Sequence, residues 1–214
     1  MQGRIRIMQN KAELLKQILN CAKIYRENFS EHDFLLVYED NGRIETLEIS
    51  FTASNFRHLT GVNTKEEMTA YDFFNQVIEG RLSESDFEVR KNSMAENKLS
   101  VLPEFLRIPA RSFNMIGEFN AYSKVNLETE HLAGGVNSCM GFTRNDNNIF
   151  VPNTMLQEDI RPNVIRVKPV VAVWRKKSGE GLYTDELRMN NDRLKKKKLI
   201  KSYDSLKDNK FQKR

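Results

Sequence analysis

The sequence predicts an α+β fold in which N-terminal helices pack on a mostly antiparallel β-sheet and a basic C-terminal tail stays exposed. Three observations carry this: a helical apolar stripe near the N-terminus, strand-like runs concentrated in the second half, and an abrupt change of composition at Arg188. The 214 residues, 39% hydrophobic and 29% charged, suffice for one main domain with a proper core. That domain is expected over residues 1–187, with an N-terminal helix in 1–30, and the tail over 188–214, helical or disordered.

From Ile5 to Asn28, residues Leu14, Leu15, Ile18, Leu19, Ala22 and Tyr25 fall on one stripe while Lys11, Lys16, Lys23 and Arg26 fall elsewhere, as an amphipathic helix requires. The apolar run Phe34 to Tyr38 and the alternation of Leu47, Ile49 and Phe51 with Glu48 and Ser50 read as two strands. Asn41-Gly42 between them is a type I′ turn signal. A second helical pattern begins at Thr64, where Thr64 and Glu67 have the spacing of a capping box, and Gly80 ends it. A third runs from Asn92 to Leu106, bent or divided by Pro103. Strands are expected at Phe113 to Phe119, Val125 to Leu127, Ser138 to Thr143, Ile149 to Val151 and Val170 to Trp174, with a single helical turn at Met155 to Ile160.

The net charge of +5 is unevenly placed. Residues 188–214 hold eleven Lys and Arg against three Asp and Glu, a net of +8, which leaves the remainder at −3. A tail of that kind attracts phosphates without sequence preference, so Lys195, Lys196, Lys197 and Lys198 are candidate nucleic-acid contacts. Simple solvation of a chain end is the plainer account. Cys21 and Cys139 show no metal-ligand spacing, and neither a metal nor a cofactor is expected. With no export signal and no stretch able to span a bilayer, the reading is a cytoplasmic protein without a membrane partner.

Chemistry is concentrated in Asn55-Phe56-Arg57-His58-Leu59-Thr60-Gly61, which sets an imidazole, a guanidinium and a hydroxyl after a strand. Metal-independent RNA cleavage needs a base for the 2′-hydroxyl, an acid for the leaving 5′ oxygen and cations for the charged phosphorane. His58 suits the first two roles, and Arg57, Lys124, Arg144, Arg111 or Arg161 the last. The plainer account of His58 is a side chain packed between a strand and a helix. His131, before Ala133-Gly134-Gly135, ranks below it and His32 lowest. There is no P-loop, GxSxG or HExxH.

The segment Asn55 to Val62, then Ser138-Cys139-Met140-Gly141-Phe142, then Ile149-Phe150-Val151-Pro152-Asn153-Thr154, Glu158-Asp159-Ile160-Arg161 and a strand ending near Trp174 resemble the phage-associated nuclease-like family of the barnase, EndoU, colicin and RelE superfamily. The resemblance spans roughly Phe34 to Leu187. It implies a metal-independent ribonuclease, or a derivative of one, in which His58 is carried over through the NFRHLTG segment and Thr143 or Arg144, and Arg161, follow less directly. Two functions compete. One is an RNA endonuclease or toxin of a phage or mobile element, with His58, Arg144 and Lys124 catalytic and Arg57 and Arg161 holding RNA. The other is a non-enzymatic, anti-CRISPR-like inhibitor whose partner is a host defence nuclease or ribonucleoprotein. A binding module resting on the tail alone stands third.

Overall fold

The computed structural model describes residues 2–89, 94–123, 127–196, 199, 201 and 203–206, with backbone only for 2–10 and 196. The chain opens with α1 (Gln2–Asn28), whose stripe Leu14, Ile18, Cys21, Ala22 and Tyr25 is buried. Strands β1 (His32–Asp40) and β2 (Arg43–Phe51) form the expected hairpin. Asn41 and Gly42 both take positive φ, 49° and 77°, the conformation a type I′ turn demands. A 3-10 turn (Ala53–Asn55) and the five-residue helix α2 (Phe56–Thr60) follow, then β3 (Asn63–Thr64), α3 (Ala70–Ile78), β4 (Phe87–Glu88), α4 (Met94–Arg107) and α5 (Pro109–Ser112).

The second half supplies β5 (Met115–Glu118), β6 (His131–Gly134), β7 (Cys139–Arg144), β8 (Phe150–Leu156), β9 (Lys168–Lys177), β10 (Asp185–Met189) and the short α6 (Asn191–Lys196). Eight strands form one sheet in the order β1-β2-β8-β7-β6-β5-β9-β10, and β1 also pairs with β9 along seven residues. That extra pairing closes seven strands into a barrel and leaves β10 outside the ring. The expectation of N-terminal helices packed on a mostly antiparallel sheet is therefore corrected: the sheet is mixed and closes into a barrel. Closure depends on pairing residues about 140 positions apart, for which neither strand carries a local signal.

The parallel contact is the seam between β2 and β8, aligned only at Ile49 and Phe150. The next pair in register would set Pro152 beside Phe51, and proline has no N–H to continue the ladder. Phe34, Phe51 and Phe142 of the strands and Phe113, between α5 and β5, meet Phe29 of the segment after α1 in a chain of ring contacts with centroids 4.9–6.4 Å apart. The helices α3 and α4 both pack on α1, and their apolar residues join this barrel interior in one core.

The runs Phe34–Val37 and Val170–Trp174 are buried without alternation because both faces of β1 and β9 are covered. On the outside, Leu35, Val37, Val171 and Trp174 lie under Leu194, Leu199 and Tyr203 of the C-terminal segment. This corrects the expectation of an exposed basic tail at Leu194, Leu199 and Tyr203, which are buried. Leu194, Leu199 and Tyr203 are spaced to anchor one face of the segment, a pattern hidden among the lysines.

Local departures have local causes. The helix expected from Thr64 starts at Ala70, because Thr69 accepts the Asp72 N–H at 3.1 Å as its cap while Thr64 joins β3. Pro103 sits within a single α4. Met155 and Leu156 extend β8 rather than turning into a helix. Of the expected strand Val125 to Leu127, the first two residues lie outside the described residues, and Leu127 is not in a strand.

Candidate active site

Helix α2 is anchored by Phe56 and Leu59, both fully buried, so Arg57 and His58 turn towards the surface. Gly61 ends the helix at φ 75°, and a Cβ there would come within 2.9 Å of the Lys98 Cδ and 3.2 Å of the Ala95 Cα. Glycine therefore serves twice: it supplies the left-handed cap and lets α4 approach. The approach brings the Lys98 ammonium to the His58 carbonyl oxygen, to which it donates at 2.9 Å.

Arg57 fixes the other side. Its Nη1 donates to the Thr64 Oγ1 at 2.8 Å and to the Met68 carbonyl at 3.0 Å, tying α2 to β3 and to the approach of α3. Between these elements lies a cleft of about 740 Å³ whose walls include His58, Arg57, Thr64, Lys98, Glu88 and, from β8, Asn153. The His58 imidazole titrates below its ordinary range, first because the cleft partly desolvates it and then because Arg57 and Lys98 add positive charge nearby. It is thus neutral at pH 7 and able to accept a proton.

The other expected residues are dispersed. Arg144, at the end of β7, stacks over the Phe150 ring at 4.4 Å and pairs with Glu130 at 3.4 Å, away from the cleft lining. Arg161 forms a charge-assisted pair with Asp159 at 2.5 Å beside the 3-10 turn Arg161–Asn163 and also lies outside that lining. Lys195 is exposed on α6, and Lys196 belongs to α6 by its backbone. Lys124, Lys197 and Lys198 fall outside the described residues. His131 is half-buried on β6, with its ring edge-on to Phe150 at 5.0 Å and its Nδ1 making no hydrogen bond among the described residues.

Sequence reasoning missed Lys98 and Asn153 as cleft residues. Lys98 had a visible signal, since it occupies the stripe of Ala95, Leu99 and Leu102, where a buried lysine needs a reason. Asn153 had none: β8 reaches α2 through its long-range pairing beside β2.

The family model for phage-Barnase-EndoU-ColicinE5/D-RelE like nuclease4 matches residues 17–192, and the chain belongs to that family. No curated protein and no solved structure matches the chain. No helix among the described residues is long and apolar enough to cross a membrane.

Proposed function

We propose that the His58 cleft cleaves RNA by metal-independent transesterification, in a protein of phage or mobile-element origin acting in the cytoplasm. The observation that carries this reading is the exposed His58 on the wall of a cleft that Arg57 and Lys98 also line. The neutral imidazole removes the 2′-hydroxyl proton, the 2′ oxygen attacks phosphorus, and the 5′ oxygen departs with a proton from water in the open cleft. The products are a 2′,3′-cyclic phosphate and a 5′-hydroxyl end. Lys98 and Arg57 offset the charge that grows on the phosphorane. Arg144, Arg161, Lys124 and the lysines Lys195 to Lys198 are assigned to contacts with the nucleic acid beyond the scissile phosphate.

The test is cleavage of total and transfer RNA by the wild-type chain and by His58→Ala, both with EDTA present and both verified as folded. Cyclic-phosphate ends that vanish in the variant support the reading. An inert wild-type protein overturns it and moves the assignment to an interaction protein of a mobile element that binds a host defence nuclease.

A further inference from the structure

The His58 cleft is not uniformly cationic. Arg57 and Lys98 line it from α2 and α4, Lys65 is paired with Asp86 at 3.7 Å, and β4 brings the carboxylate of Glu88 into the same space. Strand alternation sends the Phe87 ring inward, where it is 1% exposed, and turns the Glu88 side chain out. The strand is held in place from two sides. Lys11 of α1 donates to the carbonyl oxygens of Phe87 at 2.7 Å and Glu84 at 2.8 Å, and Glu88 stands directly opposite Asn63 in the β3–β4 pairing. Glu88 is exposed and makes no ion pair or side-chain hydrogen bond among the described residues. Glu66, the other carboxylate of the lining, sits on a turn before α3 with no strand to fix it.

A carboxylate repels the phosphates that Arg57 and Lys98 attract, so beside a bound RNA strand it must face hydrogen-bond donors. The bases differ in what they offer. Guanine sets two donors, N1–H and the 2-amino group, side by side on one edge, which matches the two oxygens of a single carboxylate. Adenine and cytosine carry one amino group beside a ring nitrogen that is itself an acceptor, and uracil has one N–H between two carbonyl oxygens. A carboxylate held on a strand therefore discriminates guanine from the other three.

We propose that Glu88 recognises a guanine base next to the phosphate bound at His58, its two carboxylate oxygens accepting N1–H and the 2-amino group. The inference rests on the ribonuclease reading of this cleft and adds to it a substrate preference. Arg57 and Lys98 hold the phosphate, and Glu88 selects the base attached to the same nucleotide or to its neighbour.

The experiment titrates guanosine, inosine and adenosine 3′-monophosphates into the full chain and follows the backbone amides of Glu88 and His58 by NMR. Inosine keeps N1–H and lacks only the 2-amino group. The guanosine nucleotide should bind about tenfold more tightly than the inosine one, the loss expected for one hydrogen bond to a charged group, and Glu88→Ala should bring the two together. Glu88 is exposed, so the variant keeps the fold, and the ratio of the two affinities does not respond to a merely structural change. Cleavage is then measured with EDTA present on 2′-O-methyl oligomers carrying one ribonucleotide, with each base in turn at that position and at the next. Guanine should be preferred at one of the two, the preference vanishing in Glu88→Ala and persisting in Glu66→Ala. A guanosine-to-inosine ratio near one in the wild type, or one that survives in Glu88→Ala, overturns the proposal even where RNA is cut. Glu88-dependent nucleotide binding without cleavage keeps the base site and removes only the ribonuclease reading.

Discussion

The Trp174 indole donates to the Tyr203 hydroxyl at 2.9 Å, fastening the C-terminal segment to the outer face of β9. Trp174 is the chain's single tryptophan and only 8% exposed, so its emission reports whether the segment is docked. Tyr203→Phe removes one neutral hydrogen bond and should cost about 1 kcal/mol in urea unfolding. Ending the chain at Asn190 uncovers Leu35, Val37 and Val171 as well, and the emission should shift to longer wavelength. Unchanged emission after truncation would mean the segment does not cover Trp174 in solution.

Gly61→Ala tests the junction of α2 and α4. The substitution places a Cβ at a backbone φ of 75° and presses it against Lys98 and the α4 backbone at Ala95. Left-handed strain in a non-glycine residue costs about 1–3 kcal/mol, and the crowding adds to it. Cleavage should fall as well, because His58 sits three residues before the displaced cap. Gly80→Ala is the contrast: its φ is 70°, but nothing lies within 4 Å of the added Cβ, so only the backbone strain remains and activity is retained.

Histidine burial gives the fold a pH dependence with a definite sign. His131 is held below its ordinary pKa chiefly by desolvation, with Lys168 and Arg144 adding to the effect and Glu118 and Glu130 opposing it. A histidine whose folded pKa lies under the unfolded value of about 6.5 is neutral in both states at higher pH, so stability is complete there. As pH falls below that value the unfolded chain takes up the proton first, and stability is lost until the folded pKa is passed. The urea midpoint should therefore drop between neutral and mildly acidic pH, and His131→Phe should flatten that drop. An identical slope in the variant would place the titration elsewhere.

Much of this molecule was legible where the signal is local. The hairpin at Asn41-Gly42, the buried stripe of α1 and the stop at Gly80 follow from turn chemistry and periodicity, which act over a few residues. His58 and Arg57 could be singled out by their chemistry, an imidazole beside a guanidinium after a strand, and the buried Phe56 and Leu59 turn that pair outward. What could not be read was long-range. The pairing of β1 with β9 closes the expected sheet into a ring, and the pairing of β8 beside β2 carries Asn153 to the cleft. The tail was misjudged for a related reason: four consecutive lysines dominate its composition, while its anchors at Leu194, Leu199 and Tyr203 gain meaning only once the outer face of β9 needs a cover.

Lys98 supplies the last prediction, and it separates electrostatics from simple support. Its ammonium donates to the His58 carbonyl, and its charge is one of the causes that lower the imidazole pKa, after desolvation and Arg57. Lys98→Met keeps the apolar stem along the stripe of Ala95 and Leu102 but removes the charge. The imidazolium then loses a repulsive neighbour, so the His58 pKa rises and the acidic limb of kcat/KM should move to higher pH, while the plateau falls because the phosphorane has lost a cation. Lys98→Arg should leave the acidic limb near its wild-type position, since the charge remains. If Lys98→Met lowers the plateau without moving that limb, the lysine supports the α2–α4 junction or the transition state without tuning His58; if both variants behave like the wild type, the cation that matters at this cleft is Arg57.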